Sequence, residues 1–477
     1  MKKQTENRKP SSLSVFGLSA QVSRRDFIRT TALACAAVPL LTSTSCRSAR
    51  CRVISANEKL HHACIGTGGM GLVDLKNFLL HPRIQVAALC DVDAERLHAA
   101  AKLAPGARLY SDWRELLESE GDRIDSVNVS VPDHMHFPIA YYALRKGKHV
   151  YCQKPMCHDV AEVRALTKLS VRQGLVTQLG TQLASGLANR TAVAWIKEGC
   201  IGKIQRAILC SNRPGIEKYR LAGPRPAEAT PPPASLNWNL WLGNAPVRPF
   251  APDVYHPECW RAWQDFGTGW SGDIGCHIFD PVWKGLGLKP AIDVVAEVQA
   301  SWKNSPTRRS DTWPQANHIT WTFPGNALTT GETLAVEWFD GEFYPPEDVR
   351  RLYSDDLSEY PRESSMLIGT EGAIIIPNGP APELLPEEKF GHIERPKLPP
   401  RDHYKHFVDA CLGGEPTESH FTQTGPMTEA ILLGTVAIRC PGEKLQWDHA
   451  RMRVTNHHEA NRYLKREYRD GWHVAEF

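Results

Sequence analysis

HHACIGTGGMG, residues 61–71, decides the fold. A short apolar strand runs into Gly66-x-Gly68-x-x-Gly71, and LVDLKNFLL (72–80) follows with helical periodicity. IQVAALCD (84–91) then reads as a second buried strand ending in Asp91, twenty residues past Gly71. Glycines at 66, 68, 69 and 71 let the backbone turn tightly and approach a pyrophosphate. The helix N-terminus behind them offers unpaired N–H groups and the positive end of its dipole. A carboxylate at the end of the second strand accepts hydrogen bonds from ribose hydroxyls. It would also repel a 2′-phosphate, so the pattern favours NAD over NADP.

Strand and helix alternation continues outward from there. ARLYSDWRELLES (107–119), RIDSVNVSVPD (123–133), FPIAYYALRKG (137–147), KHVYCQKP (148–155), VAEVRALTKLSVRQG (160–174) and LVTQLGTQ (175–182) complete it. This predicts an α/β protein whose N-terminal part, 59–182, is a doubly wound parallel sheet of the Rossmann type. Ligands bind outside the carboxyl ends of such strands. Asp133-His134-Met135-His136 sits at one of those ends. It looks like a metal motif, but nothing completes a ligand set at a familiar spacing. It is read as a loop beside the cofactor, with Pro132 and His136 as cofactor contacts and no metal.

The bulk numbers fit this. The chain has 477 residues, 42% apolar and 23% charged, with a net charge of +3, as in a globular protein of two or three domains. That charge is too small and too scattered for a nucleic-acid footprint. No run reaches the roughly 18 apolar residues of a membrane span. Near the start, Ser23-Arg24-Arg25-Asp26-Phe27-Ile28 precedes a short apolar run. It reads as a twin-arginine signal, so 1–50 is taken as a leader engaging the twin-arginine export machinery, with a periplasmic or exported destination. Cys46 is a candidate lipidation site at a poorly fitting position. Among 13 cysteines, Cys64 and Cys90 are read as buried thiols, and Cys152 and Cys157 are expected not to pair.

At VYCQKPMCHDVAEV (150–163) the fingerprint, the Val-Pro-Asp-His loop and a Lys-Pro turn together resemble the Gfo/Idh/MocA oxidoreductases. That family includes glucose–fructose oxidoreductase and inositol dehydrogenase. WNLWLG (238–243), WQDFGTGWSGDIGCHIFD (263–280) and EYRDGW (467–472) are similar to an exported branch of it. The resemblance implies a C-terminal α/β domain over 183–440. Its large open, mostly antiparallel sheet carries the substrate site on one face and often a homo-oligomer contact on the other. Residues 441–477 are expected as a tail packing on the domains.

The resemblance also implies roles. Lys154 is the active-site lysine. The family's usual Glu-Lys-Pro reads Gln153-Lys154-Pro155 here, which removes a carboxylate from beside Lys154 and predicts a more acidic lysine. Gly272-Asp273-x-x-x-His277 puts a carboxylate and an imidazole on one helix face. His277 is implied as the base that takes a hydroxyl proton, with Asp273 binding a neighbouring hydroxyl or orienting the ring.

Aromatic and charged groups crowd the sequence nearby. Trp241, Tyr255, Arg261, Trp263 and Asp265, with Arg213, are expected to bind a sugar by stacking and charge-assisted hydrogen bonds. Trp238, His256 and Trp260 lie in the same stretches, and about half of these aromatics are expected to be core instead. Proline-rich 215–250 is read as a long loop over the site or at a subunit contact. YKHFVDACLGG and GPMTEAILLGTVAIR are read as helices of the second domain.

Three functions remain in view: an NAD-dependent sugar or glycoside oxidoreductase, an NAD-dependent glycoside hydrolase or lyase, and a non-catalytic sugar-binding protein. An exported nicotinamide enzyme meets no pool of free NAD. It must carry its cofactor folded inside and close its cycle on the enzyme.

Overall fold

A computed structural model describes residues 58–215, 223–226, 228–475 and 477. The twin-arginine leader, Cys46 and part of the proline-rich loop lie outside the described residues.

The first sheet holds β1 (Leu60–Ile65), β2 (Ile84–Cys90), β3 (Arg108–Tyr110), β4 (Ser126–Val129), β5 (His149–Cys152) and β6 (Thr177–Leu179) in the order β3-β2-β1-β4-β5-β6. Every pairing in it is parallel. Helices α1 (Met70–Phe78), α2 (Ala94–Ala101), α3 (Trp113–Glu120), α4 (His136–Arg145) and α5 (Val160–Gln173) are the crossovers. The central strands β4 and β5 are buried at every residue, as a sheet covered on both faces requires. The strand order reverses direction between β1 and β4, where a ligand crevice opens.

Beyond α6 (Leu187–Glu198) comes a nine-stranded sheet. Its strands are β7 (Ile204–Ser211), β8 (Asp293–Val298), β9 (Asn317–Pro324), β10 (Thr333–Asp340), β11 (Glu363–Gly369), β12 (Ala373–Pro377), β13 (Glu383–Leu385), β14 (Leu445–Asp448) and β15 (Arg453–Val454). The order is β13-β12-β11-β7-β10-β9-β8-β14-β15. Only β7 and β10 run parallel; the other pairings are antiparallel. The sheet is therefore mixed and mostly antiparallel. Helix α7 (Trp238–Leu242) lies inside the stretch 215–250 expected as one long loop, and α8 (Gly269–Leu286) lies across the sheet, buried at nearly every position.

Two expectations change. The segment 441–477 is not only a tail, because β14 pairs with β8 and β15 with β14. Helix α9 (His403–Cys411) does not join the second domain's core. Its Tyr404, Phe407 and Val408 pack with Leu60, Phe78 and Tyr151 of the first sheet's flank. An amphipathic helix advertises a buried face but not the surface that buries it. Helix α10 (Phe421–Arg439), by contrast, packs on α5, α8 and β8 and ties both halves together. No helix among the described residues is long and apolar enough to cross a membrane.

Candidate active site

A cavity of about 580 Å³ lies between the ends of the first sheet's strands and helix α8. Gly66, Gly68, Gly69, Asp91, Pro132, Gln153 and Lys154 line it from one side, and Arg213, Trp241, Arg261, Asp273 and His277 from the other.

The glycines fit a nucleotide. Gly66 has φ +84°, and a Cβ there would sit 2.2 Å from the Ser130 carbonyl oxygen. A Cβ on Gly71 would sit 2.1 Å from the Gly66 carbonyl oxygen. Gly71 therefore lets α1 close onto the turn and does not face the cavity. No side chain caps α1 at Gly69; the Gly71 N–H donates to the Gly68 carbonyl oxygen at 2.9 Å, so an anion would meet the other N–H groups of that first turn. Asp91 Oδ2 accepts from the Thr67 N–H at 2.7 Å and the Thr67 hydroxyl at 3.1 Å, which fixes the carboxylate at the cavity edge. Gly66→Ala is expected to weaken NAD binding by tenfold or more and to lower stability by roughly 2 kcal/mol, the cost of a disfavoured backbone conformation. Calorimetric titration and urea unfolding check it, and unchanged binding would refute the cradle.

The chemical groups meet on the far side. Lys154 Nζ donates to Asp273 Oδ1 at 2.8 Å and to the Asp273 carbonyl oxygen at 3.0 Å. Arg261 Nε lies 3.4 Å from the same carboxylate oxygen. Burial pushes Asp273 up, but Lys154 and Arg261 outweigh it and hold the carboxyl at about 2. His277, one turn on, is pushed down to about 3 by burial and by the Lys154 charge. Its Nδ1 is buried without a partner, so Asp273 pairs with the lysine and does not orient the ring.

Gln153 turns away from the lysine amine. Its Nε2 donates to both oxygens of Asp74 on α1 at 2.9 Å. Asp74 also accepts from Ser130 Oγ at 2.6 Å and from the Tyr404 hydroxyl of α9 at 2.8 Å. An amide at position 153 thus answers an acid at 74. The carboxylate that Lys154 meets is Asp273.

Asp133 joins the cavity wall. Its Oδ2 accepts from the Thr268 N–H at 3.1 Å and the Thr268 hydroxyl at 3.0 Å, while Oδ1 is buried without a partner. Burial and the nearby Asp273 charge raise it from 3.8 to about 7. The folded state thus binds this proton more tightly than the unfolded chain, and stability falls as pH rises between those values. Asp133→Asn is expected to raise Tm at pH 8 and to leave it nearly unchanged at pH 4; parallel Tm–pH curves would refute this.

Besides Gly71, four assigned contacts lie elsewhere. His136 is buried, with Nδ1 at 2.6 Å from the Pro155 carbonyl oxygen and Nε2 at 2.8 Å from that of Val131, so it braces two loops from behind. Tyr255 and Trp263 are core, packed with Phe266 and Trp241. Asp265 pairs with the buried Arg248 and lies off the cavity. Aromatics near a binding site pack on one another as readily as on a ligand. Sequence reasoning missed Trp270, whose ring lies 5.2 Å from the Arg213 guanidinium and lines the cavity. The signal was present: residues 270, 273 and 277 share one helical face. It also missed Arg96, which lies over Gly68.

Asp133-His134-Met135-His136 forms no metal cluster, and none of three or more candidate ligands occurs among the described residues. The proline-rich loop docks beside the cavity. Its Asn237 N–H donates to the Val92 carbonyl oxygen at 2.9 Å, just past Asp91.

Two family models match. "Oxidoreductase family, NAD-binding Rossmann fold" covers residues 60–181, and "Oxidoreductase family, C-terminal alpha/beta domain" covers 191–326. An inositol 2-dehydrogenase of Rubrobacter xylanophilus is 31% identical over 121 residues, 25% of this chain and 33% of that protein. A glycosyl hydrolase family 109 protein of Phocaeicola vulgatus is 31% identical over 157 residues, 31% of this chain and 28% of its own. The chain thus spans a third or less of the length of these curated relatives. The crystal structure of an aldose–aldose oxidoreductase from Caulobacter crescentus, complexed with glycerol, shares the fold at TM-score 0.55 and 17% identity, covering 82% of this chain and all of that one. With both domains matched over more than half its length, and with the glycine cradle and the facing α/β domain in place, the chain belongs to the Gfo/Idh/MocA oxidoreductase family.

Proposed function

We propose that this chain is an NAD(P)-dependent oxidoreductase acting on a secondary hydroxyl of a sugar or glycoside, with its cofactor retained and recycled on the enzyme. The observation that carries it is the meeting of Lys154, Asp273 and His277 with the glycine cradle in one cavity. Bound nicotinamide supplies the carbon that accepts a hydride. Around it, Lys154 Nζ is aimed by Asp273 at 2.8 Å and can hold the oxygen of a reacting hydroxyl. The His277 imidazole is neutral at pH 7 and can accept that hydroxyl's proton. Asp273, beside it, favours the charged ring that results. Trp241, Trp260 and Trp270 offer apolar faces to a sugar ring. NAD is favoured over NADP by the Asp91 carboxylate.

The twin-arginine signal belongs to this reading. A periplasmic enzyme without free NAD must export it already bound, so hydride has to return from a second sugar or another acceptor. The glycosyl hydrolase relative favours a second reading, in which oxidation, elimination of the aglycone, water addition and reduction close the cycle. One experiment tests both. The mature protein is desalted and denatured, and released NAD(H) and NADP(H) are counted per chain, followed by a glycoside panel. Near-stoichiometric NAD with net sugar oxidation supports the first reading, and aglycone release without net NADH supports the second. An empty chain that does not bind added NAD overturns both.

A further inference from the structure

Behind the turn that carries Asp133 lies a second, polar cavity of about 210 Å³. Its walls include His158, Asn244, Asp265, Arg439, Arg462 and Arg466. Most charges there are matched. Arg466 pairs with Glu162 at 3.0 Å, Arg462 with Glu459 at 3.0 Å, and Asp265 with Arg248. Burial and the neighbouring Glu162 raise Asp159, and Arg466 lies 3.8 Å from its carboxylate. Glu467 is exposed at the rim.

Arg439 is the exception. It has no ion pair among the described residues, and its Nε is buried without a partner. Its guanidinium is held between the rings of Trp313, at 4.7 Å, and Tyr463, at 4.9 Å. Burial lowers it to about 10, so it stays charged at neutral pH. Two other groups at this cavity lack partners. Asn244 is fully buried and its Oδ1 accepts nothing. His158 is 7% exposed and makes no more than a poor approach to the Gln264 backbone. Orphaned buried polar atoms are rare in folded proteins and each asks for a ligand or water.

The set is one cation, one imidazole and one bare acceptor. A plain anion would satisfy Arg439 and leave Asn244 Oδ1 facing negative charge. An anion that also carries an O–H satisfies both. We infer that this cavity is a second binding site, for a small hydroxylated oxyanion such as hydrogen phosphate or a short hydroxycarboxylate, held by Arg439. The occupant would lie against the support of the turn that carries Asp133. Asn244 Nδ2 donates to the His134 carbonyl oxygen at 2.9 Å, and Arg466 Nη2 donates to the same oxygen at 2.6 Å.

Thermal unfolding of the NAD-saturated chain tests this, with phosphate, glycerate or acetate added at ionic strength fixed by NaCl. NAD saturation blocks the glycine cradle to phosphate. Phosphate or glycerate is expected to raise Tm by about 2 °C with saturation, and acetate is not. The rise is expected to vanish in Arg439→Gln and to weaken in Arg439→Lys. Phosphate without glycerate points to an inorganic ion, and both point to the wider class. A wild-type chain that does not respond, or an unaltered response in Arg439→Gln, overturns the site. Should both variants fail to fold, arsenate soaked into wild-type crystals decides. An anomalous peak beside Arg439 supports the site, and a map without one refutes it.

Discussion

His277→Ala and Lys154→Ala each lower kcat by at least about 10²-fold, the range of general acid–base catalysis. The two losses have different causes. His277 makes no hydrogen bond through its buried Nδ1, so its removal takes away a proton acceptor and little structure. Lys154 donates twice to Asp273. Its removal takes away a hydroxyl-binding cation and leaves that carboxylate with Arg261 at 3.4 Å. The opposing charge that held Asp273 near 2 is then reduced. Lys154→Ala should therefore shift the pH–rate profile as well as its height. Single-turnover reduction of bound NAD, followed by absorbance with a responsive sugar, separates chemistry from cofactor loss. Near-normal turnover in both variants would refute the site.

Gln153→Glu is expected to lower stability by roughly 3 kcal/mol at pH 8, as befits an acid buried against an acid. The wild-type amide donates at 2.9 Å to both oxygens of Asp74, which burial has already raised to about 6. A carboxylate in its place takes away those donors, and the pair must share a proton. The folded state then binds protons more tightly than the unfolded chain, so the loss deepens as pH rises and is smaller at pH 5. Asp74→Asn combined with Gln153→Glu should recover most of it, since amide and acid have only changed places. Urea unfolding at both pH values measures this. Equal losses at pH 5 and pH 8, or a double variant no better than the single, would refute the pairing.

The first domain was legible because a parallel sheet covered on both faces leaves continuous apolar runs, and because Gly66, Gly71 and Asp91 sit where backbone geometry demands them. Helical spacing puts Asp273 and His277 on one face, but it was the resemblance to the family motif that singled the pair out. Long-range partners were not. Nothing local tells that Tyr404 reaches Asp74 across 330 residues, or that Gln153 answers Asp74 and not Lys154. The aromatic stretch 255–265 could not be sorted by composition. Tyr255 and Trp263 bury themselves around Arg248 and Phe266, while Trp260 and Arg261 of the same stretch face the cavity. The carboxyl of Asp133 was read as part of a loop, because its significance lies in a neighbour, Asp273, 140 positions away.

The His134 carbonyl oxygen, in the turn that carries Asp133, is held by Asn244 and by Arg466, and Arg466 also grips Glu162 at the start of α5. Translation proceeds from one end, so the turn between β4 and α4 waits for more than three hundred further residues before its last support exists. Until Arg466 has left the ribosome, the nucleotide-binding half can form its sheet but not finish its pocket.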